Sequence, residues 1–305
     1  MKKKKENPPL LCDTETGMCE ITTNFDGLSE EKISTDTKPI KIVYYTDPIC
    51  SSCWGVEPQL RKLKLEYGHL IDIEYKMGGL LPDWNYNNGG ISKPSDVAAH
   101  WDEVSLHYDM PIDGDLWLED PMSSSYPPSI AIKAAQMQSE EKAVLFLRQM
   151  RELMFLQKRN MTKWEHISEA AEGIGLDLIQ LSNDYKGKAS DLFKEDLLMA
   201  KKMRVRGFPS FFFVTKNEDS EFLYGARPYH DFEEKTKALY PKAVKRNYDT
   251  SKEYLFTKFK TLSIREFSEL SGMDRQKSAL FLEELYTQKW LGKLTIKNGS
   301  LYYKE

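Results

Sequence analysis

Ile40-Lys41-Ile42-Val43-Tyr44-Tyr45, leading through Thr46-Asp47-Pro48-Ile49 into Cys50-Ser51-Ser52-Cys53, is the stretch from which the rest of the chain can be read. The first six residues are β-branched and aromatic, with the length and bounds of a strand. The cysteines open a segment patterned as a helix, from about 51 to 67. A dithiol at a helix start has a physical use, because the positive end of the helix stabilises a thiolate and the thiolate is the reacting species. Cys50, the N-terminal thiol at the helix start, is expected to be the better exposed nucleophile, and Cys53 its resolving partner. Ser51 and Ser52 add no charge, so the helix end alone would activate the thiol. The bland alternatives are a relic dithiol and a zinc clasp between molecules.

A second strand at 70–77 follows the helix and completes a β-α-β unit with a parallel pair. Pro58 lies inside the helical stretch and is expected to kink it. Turn residues mark 83–94 as a loop, and 95 to about 204 is helical in pattern. Ser210-Phe211-Phe212-Phe213-Val214 and Glu221-Phe222-Leu223-Tyr224 then read as an antiparallel hairpin, with a helix after Asp231. This order predicts an α/β protein with a thioredoxin fold over 39–245, carrying a helical insertion at about 92–205. Such folds set a cis-proline beside the dithiol, and Gly207-Phe208-Pro209-Ser210 sits at that point. Composition alone favours a trans bond; position in the fold favours cis. Pro209 would present the Phe208 backbone to an extended segment and keep metals off the thiols.

Residues 241–252 are rich in lysine and polar groups and read as a linker. Beyond them, 250–305 has a helix begun by Tyr254–Phe259, a short helix ending at Gly272, a helix capped by Asp274, and two alternating strands around Asn298-Gly299, a strong hairpin signal. Helix, helix, turn, helix, hairpin predicts a winged-helix domain. Its 274–289 segment holds three positive and three negative residues (Asp274, Arg275, Lys277, Glu283, Glu284, Lys289), which is no phosphate-binding stripe. Protein docking or packing is expected there, not nucleic acid.

The net charge of −4 over 305 residues likewise points away from nucleic acid and anionic membrane. No apolar stretch approaches the roughly 20 residues needed to span a bilayer. The basic Lys2–Lys5 cluster lacks the apolar run of a secretory signal, which predicts a cytoplasmic protein. Four cysteines are too few for a disulfide framework. Residues 1–38 read as a flexible segment. Within it, Cys12 and Cys19 could join a zinc site, act as a redox pair, or do nothing; no histidine lies nearby.

Thr46-Asp47-Pro48-Ile49-Cys50-Ser51-Ser52-Cys53-Trp54-Gly55-Val56-Glu57-Pro58, with Met77-Gly78-Gly79-Leu80, the Gly-Phe-Pro triplet and the C-terminal segment, resembles the SpxH (YjbH) adapter family over nearly the whole chain. This is a cytoplasmic, DsbA-like branch in Firmicutes. The resemblance implies an adapter and not an enzyme, one that binds the stress regulator Spx and delivers it to the ClpXP protease. Trp54, Phe208, Gly78, Gly79, Leu80 and Trp84 are then the expected anchors of a partner surface. Cys50, Cys53 and Pro209 become a redox site whose use the resemblance leaves open. No cofactor is expected to be required, with zinc at Cys12 and Cys19 as the alternative. The competing readings are a cytoplasmic thiol-disulfide oxidoreductase using Cys50 and Cys53, and a redox-sensing DNA-binding regulator.

Overall fold

The apolar run that opens the domain becomes the second strand of a four-stranded sheet and is buried at every position except Lys41. The computed structural model describes residues 12–13, 18–20, 38–86 and 93–304. In chain order, β1 (Cys12–Asp13) and β2 (Met18–Glu20) precede β3 (Ile40–Thr46), α1 (Ser51–Gly55), α2 (Glu57–Tyr67) and β4 (Ile71–Met77). The helical insertion comprises α3 (Pro94–Tyr108), α4 (Leu116–Glu119), α5 (Tyr126–Gln138), α6 (Glu140–Gln157), α7 (Trp164–Glu172), α8 (Leu178–Lys186) and α9 (Ala189–Lys202). The chain then returns through β5 (Gly207–Phe208), β6 (Ser210–Thr215), β7 (Ser220–Tyr224) and α10 (Tyr229–Leu239). Last come α11 (Lys252–Lys258), β8 (Thr261–Ser263), α12 (Ile264–Ser271), α13 (Arg275–Thr287), β9 (Gly292–Ile296) and β10 (Gly299–Tyr303).

The main sheet runs β4-β3-β6-β7, with β3 parallel to β4 and antiparallel to β6. The parallel pair requires a crossover, which α1 and α2 provide. The expected kink at Pro58 is a full break: α1 ends at Gly55, Val56 separates the two helices, and Pro58 sits in the first turn of α2. A proline there has no lost hydrogen bond to answer for. Tyr44 stacks on Phe211 with ring centroids 4.5 Å apart, and Phe211 meets Phe232 edge-on at 5.0 Å, which seats α10 on the sheet. On the insertion side, Phe155 contacts both Trp54 (5.5 Å) and Trp101 (4.7 Å), joining α1 to α3 and α6 through aromatic rings.

The C-terminal unit has its own small core, including Leu255, Phe256, Phe267, Leu270, Leu282 and Leu285. Its three strands run β8-β10-β9. Ser263 and Glu266 form a reciprocal capping box on α12, Gly272 closes that helix at φ 73°, and Asp274 caps α13. The stretch read as a linker is tied down: Arg246 N–H donates to the Glu66 carbonyl at 2.8 Å, and Tyr248 OH donates to the Leu270 carbonyl at 2.7 Å. Lys297 reaches Asp102 and Asp115, and Arg275 pairs with Asp109, so the first residue of α13 is already engaged by a carboxylate.

Residues 1–38, read as flexible, lie outside the described residues except for β1, β2 and Lys38. The two strands are a departure from that reading; they pair with each other, and β2 pairs with β5, which no local pattern announces. Positions 87–92 of the loop at 83–94 also lie outside the described residues.

Candidate functional site

Three crossing segments build the site: the β3–α1 turn, the β4–Leu81 turn and the strand around Pro209. Cys50 caps α1 with extended backbone, and Cys53 N–H donates to Cys50 Sγ at 3.1 Å. The two cysteines are joined as a disulfide with Cα atoms 5.2 Å apart. The Phe208–Pro209 bond is cis. The Pro209 carbonyl accepts from Gly225 N–H at 2.9 Å, while Ser210 Oγ donates to the Gly207 carbonyl at 2.7 Å, so the strand is held on both sides of the proline.

Cys50 was expected to be the exposed thiol; instead both cysteines are 0% exposed. The physical reason is packing: both cysteines lie in the main apolar core with Ile49, Trp54 and Val56, and the backbone of β2, paired with β5, comes within 8 Å of α1. A second correction concerns the partner anchors. Trp54 and Phe208 are 0% exposed and Leu80 only 5%, so they belong to the core. Trp54 donates its indole N–H to the Pro111 carbonyl, and the Arg148 guanidinium lies 4.2 Å over its ring. Trp84 donates to the Met122 carbonyl and meets Trp117 edge-on. Gly78 faces the Phe208 ring, and Gly79 has φ +68° beside Leu197 and Tyr126, so both glycines answer to packing and backbone shape.

Two residues that hold the dithiol turn were missed as site residues. Asp47 is fully buried and accepts from Ile49 N–H (3.0 Å), Leu80 N–H (2.7 Å) and Ser125 Oγ (2.9 Å). Arg151, also fully buried, donates to the Asp47 carbonyl (3.0 Å), Thr46 Oγ1 (2.8 Å) and Glu57 Oε1 (2.7 Å). Asp47 could have been flagged as a turn former between strand and CxxC. Arg151 has no local signal; it reaches the site from α6, far along the chain.

Burial pushes the Asp47 carboxyl up to about 6, against its hydrogen bonds and the Arg151 charge, which pull it down. The folded state therefore holds this proton more tightly than the unfolded chain. That stabilisation is complete below the ordinary value of 3.8 and is lost as pH rises through 6. Relative to Asp47→Asn, the parent should gain about 1 kcal/mol between roughly pH 7 and pH 5. Urea denaturation at both pH values reads this difference, and a constant gap between the two proteins would refute it.

As to metals, a disulfide offers no thiolate, so Cys50 and Cys53 in this state cannot supply a four-thiolate zinc set. Among the described residues no group of three or more His, Cys, Asp or Glu gathers as a ligand set. The side chains of Cys12 and Cys19 lie outside the described residues. Likewise, no helix among the described residues is long and apolar enough to cross a membrane.

A thioredoxin family model matches residues 44–234. Among solved structures, a protein disulfide isomerase (so named as putative) from Nitrosomonas europaea aligns with TM-score 0.57 and 17% identity, over 66% of this chain and 97% of that one. The cytosolic disulfide reductase DsbM from Pseudomonas aeruginosa aligns with TM-score 0.53 and 19% identity, over 65% and 99%. These likenesses show the DsbA-like fold. The ClpXP adapter protein SpxH of Halalkalibacterium halodurans is 32% identical, over 95% of this chain and 96% of that protein. The protein of the same name from Bacillus subtilis is 27% identical, over 87% and 89%. With its dithiol and cis-proline region inside the thioredoxin match and its C-terminal unit inside the longer alignment, the chain belongs to the SpxH family.

Proposed function

We propose that this chain is a cytoplasmic adapter that binds Spx and promotes its degradation by ClpXP, without itself catalysing a reaction. The observation that carries this reading is the nearly end-to-end match to a relative named ClpXP adapter protein SpxH, spanning both the thioredoxin-family region and the C-terminal unit. The covered dithiol supports it, since a site that turns over substrates needs an accessible nucleophile and both cysteines here are 0% exposed. We read 39–245 as the DsbA-like domain and 250–305 as a winged-helix domain braced on it. With Arg275 bound to Asp109, α13 begins with a neutralised cation, which supports protein contact over phosphate contact.

Degradation of Spx by purified ClpXP, with and without this chain, tests the proposal. Wild type and a Cys50→Ala/Cys53→Ala variant are expected to accelerate Spx loss equally. No acceleration by either overturns the adapter reading. Acceleration by wild type alone would make the thiols part of the mechanism. A second reading, a thiol-disulfide oxidoreductase using Cys50, Cys53 and Pro209, is favoured by the disulfide at the α1 cap beside a cis-proline strand. It requires thiol turnover that disappears with Cys50→Ser.

A further inference from the structure

Cys12 and Cys19 have no part in the adapter reading, yet the fold brings their strands to the dithiol. β1 and β2 are antiparallel, with Cys12 directly opposite Cys19. Residues opposed in this way have Cα atoms about 4.5–5.5 Å apart, inside the roughly 4.4–6.8 Å that a disulfide spans. β2 in turn pairs antiparallel with β5, which sets Cys19 opposite Phe208, the residue before the cis-proline. β2 also lies along α1, the helix that contains Cys53, with Cα atoms approaching within 8 Å. β2, which carries Cys19, is therefore near both segments that frame the dithiol. The Cys50–Cys53 disulfide beneath has no exposed surface, so a thiol in solution has no direct approach to it.

We infer that Cys12 and Cys19 are a shuttle pair that exchanges thiol and disulfide with Cys50–Cys53 within one chain. When Cys50–Cys53 is the disulfide, the Cys19 thiolate attacks Cys50 Sγ and forms a Cys19–Cys50 bond. The Cys50–Cys53 bond breaks, and its electron pair leaves on Cys53 as a thiolate. The Cys12 thiolate then attacks Cys19 Sγ, forming Cys12–Cys19 and releasing Cys50 as a thiolate. One disulfide and two thiolates enter, and one disulfide and two thiolates leave, so no outside oxidant or reductant takes part in the exchange itself. A small dithiol or thiol in solution then reduces Cys12–Cys19. β1, β2 and β5 form a small three-stranded sheet of their own, with β2 in its centre.

Two measurements test the relay, and neither uses Spx or ClpXP, so their outcome is independent of the adapter reading. In the first, reduction of the Cys50–Cys53 disulfide by dithiothreitol is followed in the full chain and in a Cys12→Ser/Cys19→Ser variant. The variant is expected to react at least about tenfold more slowly, having lost an intramolecular attack whose effective concentration exceeds that of the reagent. An unchanged or faster rate overturns the relay and leaves β2 as a cover only. In the second, a Cys12→Ser/Cys53→Ser variant retains only Cys19 and Cys50 and is oxidised with diamide, then mapped by peptide mass spectrometry. The expected product is a Cys19–Cys50 disulfide within one chain, formed at least about tenfold faster than in guanidinium, where only random loop closure operates. Two free thiols, a disulfide only between chains, or equal rates in both solvents overturn the assignment.

Discussion

Arg148→Ala is expected to cost about 3–5 kcal/mol, because it strands buried carboxylates between the two units of the chain. Arg148, on α6, donates to Glu152 at 2.5 Å and to both carboxylate oxygens of Glu266 at 2.7 and 3.1 Å. Arg61, on α2, reaches the same Glu266 at 3.1 Å and donates to the Thr261 carbonyl at 2.8 Å. Glu266 is 0% exposed and also accepts from Ser263 N–H within its capping box. Burial works to raise its carboxyl, but the Arg148 and Arg61 charges outweigh it and hold the group below the usual 4.5. A folded value below the unfolded one means that this stability is present above pH 4.5 and is lost on acidification. Without Arg148 the stranded carboxylate would bind a proton more readily, so the penalty should shrink as pH falls. Urea denaturation at neutral pH, with loosening of the C-terminal unit followed by proteolysis in 241–251, measures the effect. A loss below about 1 kcal/mol, the range of an exposed ion pair, would refute the account. The paired change Arg148→Met/Glu266→Gln should cost less than the two single changes together, by about 1–3 kcal/mol.

That cluster marks where reading the sequence runs out. The β3 strand, the CxxC helix, the hairpin at 210–224 and the Asn298-Gly299 turn each carry their own local code, in side-chain period, proline and glycine placement, and caps. Asp274 was likewise legible as a helix start. Arg148 and Arg151 were not, because they lie on α6 among residues of ordinary helical pattern, and their partners come from α1–α2, the β3 turn and the C-terminal unit. The burial of Trp54, Phe208 and Leu80 was misjudged for the same reason. An aromatic beside a CxxC reads as an anchor for a partner, but the insertion supplies Pro111, Phe155 and Arg148 to cover Trp54, and Gly78 leaves room for the Phe208 ring. Strand β2 shows the limit most plainly. Three residues in a polar segment have no strand signal of their own and take their conformation from the strands they pair with.

Gly78→Ala should disturb the site from beneath. A Cβ on residue 78 would fall 1.8 Å from Phe208 Cζ and 2.2 Å from Cε1, well inside contact distance. The Phe208 ring is completely buried, so it cannot swing into solvent to make room. Overpacking of this kind costs about 1–3 kcal/mol. The strain also falls on the backbone of β5, since Phe208 is one of its two residues and pairs with Cys19 on β2. The cover over the dithiol should therefore open more often, and alkylation of Cys50 and Cys53 after gentle reduction should be faster than in the parent. Phe208→Leu, which removes ring atoms at the point of collision, should recover part of the loss when combined with Gly78→Ala, though it costs stability alone. A cycle over the four proteins, measured by denaturation and by thiol alkylation, separates the possibilities. Additive stability changes would mean that the two residues do not meet as described. Coupled stability with unchanged alkylation would mean that β5 does not control access to the dithiol. Coupling in both would make the glycine opposite Phe208 part of what keeps the disulfide covered.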